Sequence, residues 1–173
     1  MTRVLAGSTV LAAVLVASAC SAPPPAPASA APFTVVEASF ADMQKAMAEG
    51  RVTSRQLVEQ YLQRIALYEE TLNATIAVNP KALAEADRLD AERKAGKVRG
   101  PLHGIPVALK DNIHTTNMPT TGGAVAFEGF IPPYEATLTT NLKSAGAIIL
   151  AKTMLSELAY GATESSTAAE GTV

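Results

Sequence analysis

Two lysines directly follow apolar runs, and their type and position make them the strongest candidates for chemistry. Residues 105–109 read IPVAL and precede Lys110, and residues 147–151 read AIILA and precede Lys152. A strand without a polar face is typical of a sheet covered on both sides, and ligands of open α/β sheets bind beyond the carboxyl ends of the strands. Burial favours the neutral form of an amine, which is a usable general base. The spacing alone does not choose between the two lysines.

Three other ionisable residues near the first run are weaker candidates. His103 precedes the run and His114 follows it, and for each a hydrogen-bonded loop histidine is favoured over a catalytic base. Asp111 can orient groups near Lys110, but capping of a turn is its favoured role. Because the chain has two histidines and one cysteine, it offers little material for a metal site, and no metal or cofactor is expected.

The elements that must hold these residues begin with predicted helices. Ser39 is expected to cap a short first helix. Thr53 and Gln56 have the spacing of a capping box, which predicts the start of a second, longer helix. Asn79 and Pro80 are expected to open a third helix as its cap and first residue.

The second half of the chain predicts a strand–helix–strand unit. Residues 105–109 and 147–151 form its strands, a helix over 135–145 connects them, and the crossover is expected to be right-handed. A short strand is predicted over 73–78, and 115–133 is rich in loop-forming residues. The predicted fold class is therefore α/β, with N-terminal helices followed by a βαβ portion of a layered sheet.

The first nineteen residues are typical of a secretory signal peptide. Arg3 is their only charge, and residues 4–16 form an apolar run that is too short to span a bilayer. Residues 20–32 are rich in Ala and Pro and carry no charge, which predicts an extended tether between a membrane and the domain.

Cys20 stands directly after Ala17-Ser18-Ala19, and this arrangement resembles a bacterial lipoprotein cleavage box. In such a box the thiol receives a diacylglycerol and becomes the new N-terminus. We therefore expect a lipid anchor at Cys20 and a place in the bacterial cell envelope, as a periplasmic or outer-surface lipoprotein. Ala17 departs from the Leu usual at its position, and simple secretion after Ala19 or Ala30 is the alternative.

Composition excludes two broad classes of protein. Of the 173 residues, 48% are apolar and 17% are charged, which is the balance of a folded domain and not of a disordered chain. With 14 basic and 16 acidic residues, the chain has no basic excess to hold a nucleic-acid backbone, so nucleic acid is not expected as a partner.

Five short blocks follow one another between residues 100 and 159 and include both lysines. In this order they resemble the N-terminal part of the amidase signature family, and the helical region before them is similar to the start of that family. The blocks are GPLHGIPVALKDNI (100–113), MPTTGG (118–123), EAT (135–137), GAIILAKT (146–153) and SELA (156–159).

The resemblance implies a layered α/β/α hydrolase that cuts amide carbon–nitrogen bonds through an acyl-enzyme with a Ser–Ser–Lys triad. Lys110 stands where the family has its catalytic lysine, whereas Lys152 stands at a position that the family keeps for other reasons. In the family, a Gly/Ser-rich motif downstream of the SELA block carries both serines. This sequence has no such motif, and its Ser165 and Ser166 lack the flanking glycines.

Residues 33–173 are accordingly interpreted as the truncated N-terminal portion of an amidase domain, which is expected to be inactive by itself. The leading hypothesis is an exported amidase that acts on a small amide substrate. A non-catalytic envelope lipoprotein that has kept part of an amidase fold is the alternative. An amide-transferring subunit that serves aminoacyl-tRNA is a third hypothesis, which the signal peptide opposes because an exported protein would not meet tRNA.

Overall fold

The computed structural model of the chain describes residues 32–160. The predictions for the signal peptide, for Cys20, for the tether up to residue 31 and for Ser165 and Ser166 lie outside that range. None of the helices within it has the length and apolarity that a membrane crossing requires. The elements in chain order are α1 (Phe40–Ala48), α2 (Ser54–Leu72), β1 (Thr75–Val78), α3 (Ala82–Lys94), β2 (Pro106–Lys110), α4 (Thr137–Ser144) and β3 (Ile148–Thr153), with single 3-10 turns at Val125–Phe127 and Glu157–Ala159.

The first two helices begin where their capping residues predict. The Ser39 hydroxyl accepts a hydrogen bond from the Asp42 N–H at 3.2 Å. The Thr53 hydroxyl accepts one from the Gln56 N–H at 3.1 Å, and the Gln56 side chain accepts one from the Thr53 N–H at 2.9 Å. These reciprocal bonds satisfy N–H groups that a helix start otherwise leaves without a partner, and they confirm both predicted starts.

The third helix begins two residues later than predicted, with Lys81 at its cap position. The side-chain oxygen of Asn79 does accept a hydrogen bond from the Lys81 N–H at 2.9 Å. Two other groups of Asn79 bind β3. Its side-chain amide nitrogen donates to the Ile149 carbonyl at 2.9 Å, and its backbone N–H donates to the Leu150 carbonyl at 2.8 Å. The prediction of Asn79 as the helix cap was therefore wrong, because tertiary partners claim this side chain.

The three strands form one sheet with the order β1-β3-β2. β2 and β3 run parallel and are joined through α4, which confirms the predicted strand–helix–strand unit, and β1 lies antiparallel on the other side of β3. Val107 pairs with Ile149, but Ala108 pairs with Ala151. Leu150 is therefore an extra residue in β3, a β-bulge that changes which face the following side chains occupy.

β3 is buried on both faces, as its sequence predicts. On one face Ile148 and Leu150 pack against side chains of α2 and α3. On the other face Ile149 packs against Leu109 and Met118. Two of the buried clusters of the described residues therefore lie on the two faces of this central strand, and another lies between α1, the start of α2 and Ile105.

β2 does not match its prediction. Pro106 and Leu109 are buried, but Ala108 and Lys110 are exposed. The expectation that this strand is covered on both faces is wrong for the described part of the chain, because β2 forms an edge of the sheet there and the face that carries Ala108 and Lys110 is open to solvent.

We expect Thr53→Ala to lower the free energy of unfolding by about 1 kcal/mol, because alanine removes the oxygen that accepts the Gln56 N–H. Thr53→Ser keeps a hydroxyl at this position and should lose much less. Urea denaturation of the two variants and the parent chain, followed by circular dichroism, measures the difference. Equal losses in the two variants would show that the hydroxyl does not cap α2.

Candidate active site

The carboxyl ends of β2 and β3 meet at one edge of the sheet because the strands are parallel. Lys110 is the last residue of β2 and pairs with Thr153, whereas Lys152 pairs with Leu109. Paired residues share a face and consecutive residues alternate between faces. The two lysines therefore lie at the same edge of the sheet, as predicted, but on opposite faces.

The two lysines also differ completely in burial. The side chain of Lys152 is fully buried, whereas Lys110 is exposed. The loss of hydration that the sequence predicts for a lysine at the end of an apolar strand therefore applies to Lys152. Lys110 instead presents its amine at an accessible edge, where a reacting group can approach it.

The buried amine of Lys152 has three hydrogen-bond acceptors. Its Nζ lies 2.9 Å from Asp111 Oδ1, 2.8 Å from Thr120 Oγ1 and 3.2 Å from the Pro119 carbonyl oxygen. An ammonium group has three donors, so these contacts satisfy it. Burial lowers the pKa of Lys152 from its usual value, and the hydrogen bond and the charge of Asp111 oppose that shift.

Asp111 is the hub of the loop that follows β2. Its Oδ2 accepts hydrogen bonds from the Thr121 N–H at 2.9 Å and from the Thr121 hydroxyl at 2.5 Å. Its backbone N–H donates to the Thr153 carbonyl, and its carbonyl accepts from the Gly122 N–H, both at 3.1 Å. This fully buried side chain therefore binds a loop ten residues away and the amine of Lys152, and not the local turn that the sequence favoured.

His103 is a structural residue, which confirms the loop histidine favoured from the sequence. Its ring is fully buried, Nδ1 accepts from the Arg99 N–H at 3.3 Å, and Nε2 lies 2.9 Å from the Leu89 carbonyl oxygen. These partners assign the proton of the neutral ring to Nε2. Gly146 passes close by with a φ of 89°, and a Cβ there would lie 2.8 Å from His103 Cα, so this contact requires glycine.

His114 is also part of a loop, at the start of an aromatic cluster. Its ring centroid lies 5.1 Å from that of Tyr134 and 6.5 Å from that of Phe130. The His114 carbonyl accepts a hydrogen bond from the Thr139 hydroxyl at 2.8 Å, which ties the loop to α4. Between residues 32 and 160, His, Cys, Asp and Glu side chains do not gather in groups of three that could hold a metal ion.

Sequence reasoning missed the pairing of Lys152 with Asp111 and the part that Thr120 and Thr121 play around it. The available signal was the apolar run before Lys152, because a lysine that is buried with its strand needs an internal counter-charge, but a similar run precedes the exposed Lys110. The sequence does not identify that counter-charge, since Asp111 lies 41 positions away.

The described residues form a mixed α/β fold with two lysines at one edge of its sheet. Residues 56–173 match the amidase family, and the chain belongs to that family. The structure covers only part of the fold of amidase signature enzymes, as the sequence predicted.

Known amidases and amidotransferase subunits resemble the chain closely. It is 44% identical over 131 residues to a glutamyl-tRNA(Gln) amidotransferase subunit from Rhodopirellula baltica, which is 75% of this chain and 26% of the relative. It is 48% identical to the solved peptide amidase from Stenotrophomonas maltophilia, with a TM-score of 0.68 over 70% of this chain and 25% of the other. A fatty acid amide hydrolase structure is 27% identical, with a TM-score of 0.63 over 69% of this chain and 21% of the other. The chain therefore spans about a quarter of the length of these relatives.

We expect Lys152→Met to lower the free energy of unfolding by about 3–5 kcal/mol, because it leaves the buried Asp111 carboxylate without its counter-charge. Asp111→Asn should also destabilise the chain, since it strands the buried ammonium. The double variant buries neither charge and should lose less stability than the sum of the two single losses. Urea denaturation of the four chains measures this coupling, and strictly additive losses would contradict it.

Proposed function

We propose that the chain is the lysine-bearing portion of an exported amidase that hydrolyses the carbon–nitrogen bond of a small amide, with Lys110 as the catalytic base. The observation that carries the proposal is the position of Lys110. It ends β2 at the carboxyl edge of the sheet, with its side chain exposed, within the block that resembles the family's lysine motif. Membership of the amidase family supports the reaction class.

In the proposed reaction, the neutral amine of Lys110 accepts a proton from a bridging serine, which accepts one from the attacking serine. The attacking oxygen bonds to the amide carbon. The carbon–nitrogen bond of the substrate then breaks, and the amine product leaves with a proton that returns through the same relay. Water then cleaves the resulting ester and regenerates the serine. A serine hydroxyl needs such a base because it is a poor nucleophile while it keeps its proton.

The exposure of Lys110 adds a requirement to this mechanism. Removal of water from around an amine favours its neutral form, which is the form that accepts the serine proton. The proposal therefore requires that further polypeptide of an amidase domain, or the bound substrate, covers the face of β2 that carries Ala108 and Lys110. Both proposed serines must approach from the same side.

A chimera tests the role of Lys110. The segment of the Stenotrophomonas peptide amidase that matches this chain is replaced by the corresponding residues of this chain, and amide hydrolysis is measured. We expect an active chimera in which Lys110→Ala lowers kcat/KM by about 10²–10⁴-fold, because the base is lost. Lys97→Ala, which removes another exposed lysine, is the matched control and should leave kcat/KM unchanged. A Lys110→Ala chimera with full activity would eliminate Lys110 as the base.

The chain without added polypeptide gives the complementary measurement. Residues 21–173 should neither hydrolyse simple amides nor react with a fluorophosphonate probe, because they match the triad only at the lysine. Turnover, or labelling of Ser165 or Ser166 that Lys110→Ala abolishes, would show that this polypeptide carries its own nucleophile.

Two other functions are distinguished by the same experiments. Amide transfer has the support of the curated relatives, which are named as amidotransferase subunits, but the predicted signal peptide opposes a tRNA-linked role. A non-catalytic envelope protein is the other alternative. A chimera that folds and stays inactive, although its other segments come from an active amidase, would favour this remnant.

We further propose that the protein is exported and anchored by a lipid on Cys20. Its support is the apolar segment followed by Ala17-Ser18-Ala19-Cys20. Expression in a bacterium with labelled fatty acid should give a labelled product in the membrane fraction. Cys20→Ala should abolish the label, because it removes the thiol that accepts the diacylglycerol. A soluble, unlabelled parent product that starts at residue 20 or 31 would instead indicate simple secretion.

A further inference from the structure

We propose that Lys152 and Asp111 are positioning residues for Lys110: their buried ion pair fixes the loop over residues 119–123 against the sheet and thereby holds the carboxyl end of β2, with Lys110, in place. This inference rests on the proposed function, because it gives the pair its purpose from the base role of Lys110. Asp111 follows Lys110 directly in the chain, so the pair acts on Lys110 through the backbone and not on the reacting groups.

The bulge in β3 brings Lys152 to the face where Asp111 lies. Without the extra residue Leu150, strict alternation would place Lys152 on the face of Ile148, towards α2 and α3. With it, Lys152 shares the face of Leu109. The bulge is held by Asn79, which binds the carbonyls of Ile149 and Leu150 through its side chain and backbone. The placement of the buried ammonium is thus a built feature of the sheet.

The ion pair then ties three parts of the chain together. Lys152 binds Pro119 and Thr120 on the loop, and Asp111 binds the backbone and hydroxyl of Thr121. A Cβ at Gly123, where the loop passes the segment after β3, would lie 2.8 Å from the Leu155 carbonyl oxygen. The loop is therefore bound to Lys152 and to Asp111, and at Gly123 it packs closely against the segment after β3.

The link to Lys110 runs through the backbone of its neighbour. Asp111 is bound to Thr153 through its N–H and to Gly122 through its carbonyl, and its side chain is held by Lys152. Lys110 precedes it on an exposed edge, where its own side chain has no covering element within residues 32–160. Release of Asp111 should therefore free the end of β2 while the centre of the sheet stays paired.

Amide hydrogen exchange of the full chain tests this inference without any activity measurement. In Lys152→Met, exchange at Asp111, Thr121 and Gly122 should approach the rate of an unprotected amide, whereas Ile148, whose N–H donates to Ile105 in the core, should stay protected. The methyl resonance of dimethylated Lys110, assigned with Lys110→Arg, should shift or broaden in the same variant. Protection at Asp111, Thr121 and Gly122 that persists in the variant, or an unchanged Lys110 resonance, would overturn the inference.

A milder pair of variants keeps the test decisive if Lys152→Met fails to fold. Thr121→Val removes the hydroxyl that donates to Asp111 and accepts from the Gly123 N–H, and Thr139→Val removes the buried hydroxyl that donates to the His114 carbonyl. Thr121→Val should change exchange at Asp111 and the Lys110 resonance, and Thr139→Val should change neither. Identical behaviour of the two variants would overturn the positioning role. A Lys110→Ala chimera that keeps full activity would contradict the proposed function alone, because the exchange pattern does not depend on the catalytic role of Lys110.

Discussion

The amine of Lys152 belongs to a fully buried side chain, and such a polar group must find its hydrogen-bond partners inside the protein. Its partners are Asp111, Thr120 and the Pro119 carbonyl, which together satisfy its three donors. Each partner comes from the loop that follows β2, so the demand of one side chain determines where that loop lies. The carboxylate in turn organises Thr121 and Gly122, and the end of the sheet becomes one hydrogen-bonded unit.

The rest of the described fold delivers Lys152 to that place. β3 lies at the centre of the sheet, with α2 and α3 packed on one face and the loop around Met118 on the other. α1 and α2 owe their starts to local caps at Ser39 and Thr53. α2 packs against this central strand, whereas α1 packs against Leu57 of α2 and Ile105. Asn79 connects α3 with the sheet, because its side chain accepts from the Lys81 N–H at the start of α3 and donates to the Ile149 carbonyl beside the bulge.

The exposed edge of β2 is best interpreted together with the membership of the amidase family. The chain spans about a quarter of the length of its relatives, and the described residues include an open face with Lys110 on it. A lysine at such an edge is accessible, and the proposed base role further requires that water is excluded from this face. The division between a buried, paired lysine and an exposed one therefore separates a structural role from the proposed chemical role.

Local sequence patterns were sufficient to predict most of the helices and strands and the family. Helix starts at Ser39 and Thr53, the strand–helix–strand unit and the position of both lysines at one edge follow from patterns that lie within a few neighbouring residues. The order of the five blocks was enough to indicate the amidase family, and the comparisons confirm it.

The burial of Lys152, its pairing with Asp111 and the contacts of Asn79 could not be predicted from local patterns. Burial depends on elements that are distant in sequence, as the 41 positions between Asp111 and Lys152 show. The two apolar runs look alike in sequence, yet β3 became central and β2 became an edge strand. One bulge residue reversed the alternation of β3 and sent Lys152 to the face of Asp111, and a periodic pattern cannot reveal such a change because it assumes that the period is unbroken.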